Sequence, residues 1–429
     1  MNYKKAILVG INMYSSKYDF KNSLEELKGL CISLGIKDFH YITQKRDKYD
    51  PKFLIGSGKV EEVNNLVLEK NIDLVLFNDT LSGSQLNNLS KNINAKIMDR
   101  SAIILDIFAK RANTKLAKLQ IKLAKLNYKL PRLKGYGNEL SKLGAGIGTR
   151  GPGEQKLELD KRSIRKSILE IKKRIEKMEK TRNIQRKRRI SSNIPIVSLV
   201  GYSNVGKSTL FNYLVENYGD DEDKVYVDDL LFATLDTHVS KISLDNNKEF
   251  LLIDTIGFIS KLPHFLIDAF KATLEEMKTS DLILNIIDFN SDNSNTEIEI
   301  TQDILKELQA LSIPRLTVYN KIDKFENVDS SLDKNIKISA KKGLNIDKLL
   351  QKIQEELFAS YQTLELLIPF NKANLVSNLH ENFKIYFEKY TQNGIVVSAE
   401  VDQLNYNKLK KYEISNKKFL KVKTSPENL

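Results

Sequence analysis

At 429 residues the chain is too long for one ordinary domain, and about 150 residues per domain predicts roughly three. A hydrophobic fraction of 41% fits a soluble globular protein, apolar runs such as LILNII fall short of the ~20 residues a membrane helix needs, and a single cysteine excludes an internal disulfide. The net charge of +13 is unevenly placed: Arg111 to Arg189 holds 25 Lys/Arg against 7 Asp/Glu, a local +18 that leaves −5 elsewhere, so this segment is suited to meet a polyanion.

The opening run MNYKKAILVGIN has two lysines before apolar residues but no small-residue cleavage site after them, so it reads as a buried first strand and not a secretion signal. Cys31 lies in the apolar stretch LKGLCISLGI as a core residue, and no His/Cys cluster has metal-ligand spacing. A reducing cytoplasm is therefore predicted. Residues 1–100 alternate apolar runs (KKAILVGI, DLVLFN, AKIMD) with helical patterns (SLEELKGLCISLGI, GKVEEVNNLVLEK), the signature of a small α/β domain with a largely parallel sheet.

Over residues 101–192 the period changes to helical. Leu116, Leu119, Leu123, Leu126 and Leu130 are spaced 3, 4, 3, 4, and the spacing recurs at Ile164, Ile168, Ile171, Ile175 and Met178. Two such stripes predict an antiparallel helical hairpin whose second helix, from Glu154 to Arg189, reaches ~50 Å. Its tip, residues 144–153, holds five glycines with Arg150 and Pro152, and glycine lets a surface approach closely. The alternative is a flexible turn on a solvated charged coiled coil, but such surfaces usually mix signs evenly, and the imbalance here favours nucleic-acid contact. Arg150, Lys156, Lys161 and Arg162 are the candidate RNA contacts.

Residues 193–360 again alternate strand and helix, and within them GYSNVGKS (201–208) follows the strand IVSLV and opens the helix STLFNYLV. This is the phosphate loop G-x-x-x-x-G-K-[ST] in its required setting. Gly201, Tyr202, Ser203, Asn204, Val205 and Gly206 wrap phosphates with backbone N–H groups, Lys207 neutralises the β/γ oxygens, Ser208 ligates Mg²⁺, and Thr209 continues the helix. Asp254 ends the strand EFLLID, where it reaches Mg²⁺ directly or through water; Thr255 and Ile256 lead to Gly257, whose N–H meets the γ-phosphate. In LFATLDTH, Thr234 is the candidate switch threonine on Mg²⁺, with Thr237 the alternative.

NKID (320–323) follows the strand RLTVYN. An aspartate at 323 accepts both guanine N1–H and N2–H, a donor pair adenine lacks, while Asn320 ties the loop to the phosphate loop and the Lys321 stem covers the base. SAK, Ser339, Ala340 and Lys341, aims the Ala340 N–H at guanine O6. Four such elements in order predict a P-loop GTPase domain with a mostly parallel sheet and helices on both faces, and residues 361–429 read as a small C-terminal α/β unit. Phe258 stands where many GTPases have a water-orienting glutamine. Lys207, Thr234, Gly257 and Asn204 are then the catalytic candidates, Asn204 either holding a charge-offsetting K⁺ or stabilising the loop; His264 reads as a helix start after Pro263.

These residues, with GYSNVGKSTLFN, LFATLD, DTIGFISKLPHFLIDAFKATLEE, GAGIGTRGPGEQKLELDKR, DPKFLIGSGKVEE and DRSAIILDIFAKRANT, resemble the HflX family of ribosome-associated GTPases over nearly the whole chain. Thr237 departs from the proline that many members carry there. The resemblance implies a GTPase that binds the large ribosomal subunit and its rRNA with the hairpin toward the peptidyl-transferase region, and that splits or rescues stalled ribosomes under stress. It also implies an ATP site in the N-terminal half, where GSGK (56–59) lacks the full phosphate-loop spacing and reads as a helix start. Two other readings share the site: a subunit-assembly GTPase, and a guanine-nucleotide-dependent RNA-binding module with negligible hydrolysis. A monomer using Mg²⁺, slow alone and stimulated by ribosomes, is predicted.

Overall fold

The computed structural model describes residues 3–14, 19–133, 152–191, 194–219, 238–244, 248–261, 263, 265–266, 275–324 and 335–414. The first sheet is built from strands β1 (Lys5–Met13), β2 (Asp38–Arg46), β3 (Leu74–Phe77) and β4 (Lys96–Asp99), all parallel in the order β2-β1-β3-β4. Helices α1 (Phe20–Ser33), α2 (Ser57–Lys70), α3 (Gly83–Asn92) and α4 (Arg100–Arg111) connect and follow them. Local chemistry sets their starts: the side chains of Asp19, Ser82 and Asp99 each accept a backbone N–H of the first turn. The sheet is buried on both faces, as crossover helices require. Ile7, Val9 and Phe77 pack with Val63 and Leu89 of α2 and α3 on one side, while Leu8 and Leu76 meet α1 and α4 on the other.

The helical stretch after residue 100 is not continuous. Ala112 turns to an extended conformation and Thr114 accepts the Ala117 N–H at 3.2 Å, so a new helix, α5 (Lys115–Arg132), starts at a fresh cap. Helix α6 (Pro152–Ser191) has 40 residues and extends about 60 Å. The two leucine and isoleucine stripes meet: Leu116, Leu123, Ile168, Ile171 and Ile175 form one buried seam flanked by Leu119, Leu126, Leu130, Ile164 and Met178. The opposite side of α6 is wet, with Arg165, Lys166, Lys172, Lys173, Arg174 and Lys177 all exposed.

The second sheet runs β10-β9-β8-β5-β7-β6, from β5 (Ile196–Gly201), β6 (His238–Leu244), β7 (Lys248–Asp254), β8 (Leu282–Asp288), β9 (Arg315–Asn320) and β10 (Ile336–Lys337). Every pair is parallel except the edge pair β6–β7, which lies close enough in sequence to form without a crossover helix. Helices α7 (Lys207–Tyr218) and α9 (Ile346–Leu357) cover one face, and α8 (Ser294–Glu307) covers the other. That second face is shared: Val200, Ile256, Phe258, Ile259 and Ile304 lie in one buried cluster with Leu27 of α1, Phe108 of α4 and Ile121 of α5. The last unit is an antiparallel sheet, β11 (Gln362–Ile368), β13 (Gly394–Val401) and β12 (Lys384–Thr391) in that order, packed by α10 (Ala373–Asn382) and α11 (Gln403–Leu409). Lys248 of β7 reaches Glu400 of β13 at 2.9 Å, joining the two sheets. No helix among the described residues is long and apolar enough to cross a membrane.

The seam gives a local stability test. Ile171 is 5% exposed, and Ile171→Ala removes about 3 kcal/mol of packing. Amide exchange in α5 and α6 is expected to accelerate while β5 and β8 amides keep their protection; uniform acceleration would mean that the hairpin and the second sheet unfold together.

Candidate functional site

The loop after β5 is shaped by two residues that must be glycine. Gly201, at φ +142°, would place a Cβ 2.2 Å from the Ile286 carbonyl oxygen, and Gly206, at φ +94°, would place one 2.3 Å from Asn320 Nδ2. The chain then turns directly into α7, whose first residue is Lys207. The Lys207 ammonium is buried and donates to the Tyr202 and Gly201 carbonyls at 2.7 and 3.1 Å, so it is held at the centre of the loop before any phosphate arrives. Burial lowers its pKa to about 8, against the opposing attraction of Asp254 and Glu297. A phosphate anion is the natural counter-charge for such a group.

Beside it, Ser208 Oγ donates at 2.7 Å to Oδ2 of Asp254, a carboxylate with no exposure at all. Thr255 anchors this strand end by donating to the Leu199 carbonyl at 2.6 Å, and Ile256 is packed below. Gly257 follows, pressed so close that a Cβ there would lie 2.8 Å from Ser203 Cα and 3.0 Å from Lys207 Nζ. Phe258 then runs parallel to the phosphate loop: its N–H donates to the Gly201 carbonyl at 3.1 Å and its carbonyl accepts the Ser203 N–H at 2.6 Å. The ring is 1% exposed, turned away from the loop into the cluster shared with α1, α4 and α5. Position 258 thus carries a core residue. Its hydrophobicity, read from the sequence as a missing catalytic group, has a packing cause.

The base-side loops converge through one side chain. Asn320, 2% exposed, donates to the Val205 carbonyl and accepts the Ala340 N–H, each at 2.9 Å, joining three loops. The Ala340 N–H, which the sequence aims at guanine O6, donates to Asn320 Oδ1 in this structure, giving the amide oxygen of a buried asparagine its donor. Lys321, at φ +68°, donates to the Asn204 carbonyl at 2.6 Å and to Asp288 Oδ2 at 2.8 Å. Burial works against the Asp288 charge, but Lys321 and Asn290 outweigh it and keep the carboxyl below its usual range. Asp323 accepts the Ser339 hydroxyl at 2.6 Å, which holds its carboxyl low and ionised, the form that accepts two guanine donors. Asn204 and Lys341 are exposed at the rim, Val205 is buried, and Thr209 is half-buried.

Thr234, Thr237, His264 and Arg150 lie outside the described residues. Lys156, Lys161 and Arg162 stand on α6, Lys156 and Arg162 fully exposed. Three residues that the motifs do not mark also reach the site. Glu26 accepts the Tyr202 hydroxyl at 2.7 Å, Arg100 donates to the Ser260 carbonyl at 3.2 Å, and Asp288 tethers Lys321. No motif in the sequence marks these three residues. At the start of α2, Gly56 donates to Gln44 Oε1 at 3.0 Å, so the GSGK segment caps a helix as its spacing suggests.

Comparison with known proteins agrees with this arrangement. Residues 21–109 match the family described as GTP-binding GTPase N-terminal, residues 111–189 the GTP-binding GTPase middle region, and residues 196–321 the 50S ribosome-binding GTPase. The chain is similar to GTPase HflX of Caldanaerobacter subterraneus subsp. tengcongensis, 45% identical over 412 residues that cover 96% of this chain and 94% of that one. It is also similar to GTPase HflX of Lacrimispora saccharolytica, at 38% identity with 93% of each chain covered, and of Escherichia coli, at 37% identity with 92% of each covered. With a phosphate loop, a buried strand-end carboxylate and an asparagine-tied base loop in place, the chain belongs to the HflX family and is a GTPase.

Proposed function

We propose that the GTP form of this protein binds the large ribosomal subunit through α5 and α6, dissociates or rescues stalled ribosomes under stress, and is released by hydrolysis. The observation that carries this reading is the charge of the arm. A surplus of 18 positive charges sits in one segment, and six lysines and arginines line the wet side of α6 opposite its apolar seam. A long surface with a large excess of positive charge suits the phosphate backbone of RNA. The description of the family matched by residues 196–321, a 50S ribosome-binding GTPase, supports the large subunit as partner. A subunit-assembly role shares every one of these features and differs in acting on immature particles.

Within the site, Lys207 and the phosphate-loop amides neutralise the β and γ oxygens, and the Gly257 N–H faces the position of the γ-phosphate. Ser208 and Asp254 form an all-oxygen pair, one of them a buried carboxylate, which fits Mg²⁺; the ion would supply charge neutralisation at the phosphates. Asp323 selects guanine, and Asn320 keeps base and phosphate loops in register. No side chain from position 258 orients water, so intrinsic hydrolysis is slow and the ribosome completes the site. Asn204 adds an exposed amide at the rim that suits a K⁺; equal turnover in K⁺ and Na⁺ buffers would remove that role.

Pelleting with large subunits is expected to recover the protein with a non-hydrolysable GTP analogue and lose it with GDP; equal recovery would overturn the switch, because a ligand indifferent to two states shifts neither. Replacing Lys172, Lys173 and Arg174 by glutamine should weaken that binding at least about tenfold and lower its salt dependence by up to about three counterions, with intrinsic GTP turnover unchanged. Phe258→Gln is expected to lower the melting temperature, since it buries an amide in an apolar cluster, and to leave ribosome-free turnover no faster. A faster, stable variant would show that position 258 does reach the reacting water.

A further inference from the structure

We propose that Glu26 and Arg100, both outside the nucleotide-binding sheet, are positioning residues for GTP hydrolysis: they fasten the phosphate loop, through Tyr202, and the Gly257 strand, through Ser260, to one buried point of the first sheet's helices. Glu26 Oε1 accepts the Tyr202 hydroxyl at 2.7 Å and the Ser260 N–H at 3.2 Å, while its Oε2 accepts the Ser260 hydroxyl and pairs with Arg100 at 2.5 Å. The Arg100 guanidinium, 2% exposed, adds bonds to Asn78 Oδ1 at 2.9 Å and the Ser23 carbonyl at 3.3 Å on its own side. Across the interface it donates to the Ser260 carbonyl and hydroxyl at 3.2 and 3.0 Å. One carboxylate thus holds both catalytic loops at once.

Stability alone does not account for the pair. Burying two charges gains little over apolar packing of the same volume, and Ile256, Ile259 and Ile104 already close this interface with hydrocarbon. What a forked, hydrogen-bonded pair supplies is register. Tyr202 lies one residue beyond Gly201 and Ser260 three beyond Gly257, with Phe258 zipped between the two loops. Sliding one loop against the other therefore moves the Gly257 N–H relative to Lys207, across the place of the γ-phosphate. The next residue, Lys261, is held in the left-handed region at φ +52° and pairs with Asp79 at 2.7 Å, a second grip by the first sheet on the same strand. Phosphoryl transfer depends on placement, and a misplacement of about 1 Å costs rate far more than affinity.

The test is single-turnover GTP hydrolysis by the full chain without ribosomes. In the Glu26→Leu/Arg100→Met double variant both charges leave and volume stays. Melting temperature is expected to hold or rise while the hydrolysis rate falls about tenfold, with GDP affinity within about twofold because GDP lacks the γ-phosphate. An unchanged rate in the folded double variant would overturn the proposal. If the double variant does not fold, Tyr202→Phe alone reads the tie between the two loops, because its hydroxyl donates to Glu26 and accepts the Ser260 N–H: about tenfold slower with unchanged GDP affinity supports the proposal, and wild-type turnover overturns it. Val63→Ala, in the core on the far face of the first sheet, controls for stability; an equal slowing there would also overturn the proposal.

Discussion

Much of this molecule hangs on where one short segment after a strand end lies. From Asp254 to Lys261 the chain serves three neighbours at once: its first carboxylate faces Ser208, its Phe258 backbone pairs with the phosphate loop, and its Phe258 and Ile259 side chains fill a core shared with α1, α4 and α5. A glutamine at 258 would satisfy a water-orienting role only by leaving that core. The strand therefore trades an intrinsic catalytic side chain for a fixed connection to the first sheet. A GTPase built this way depends on pre-placed charge and backbone donors, and such sites are sensitive to position.

The same connection runs on toward the arm. Arg100 begins α4 against Ser260, α4 packs on α1 and α5, and α5 forms the seam with α6. In the proposed switch, a change in the Gly257 segment that accompanies the γ-phosphate would pass along this chain of contacts to the base of the helix that carries the basic surface. Linkage then works in both directions: if GTP favours an arm position that binds RNA, RNA binding favours the GTP-competent strand by the same free energy. The buried ion pair suits this use, because its bonds are directional and have a defined alternative, whereas hydrocarbon contacts tolerate sliding.

The sequence is legible wherever the signal is local. GYSNVGKS, DTIG, NKID and SAK are short, ordered and each at a strand end, so the topology of the second sheet follows from them, and the 3, 4 spacing of leucines and isoleucines foretells the seam. What cannot be read is what brings distant residues together. Residues 26, 100 and 260 share no motif, and only folding puts a helix carboxylate of the first sheet within 2.7 Å of the phosphate-loop tyrosine. Phe258 looked like a lost catalytic group because its motif partners are polar; its burial depends on helices that begin more than 100 residues earlier. The break at Ala112 comes from a threonine cap inside a pattern that periodicity alone leaves continuous.

Under the proposed function the site is complete for binding and incomplete for chemistry until the basic arm meets a ribosome. GTP turnover measured in buffer, with small subunits, with large subunits and with whole ribosomes tests it most directly. The account predicts slow turnover in buffer and with small subunits, and a marked rise with large subunits and whole ribosomes. Turnover that is equally fast in all four would contradict it.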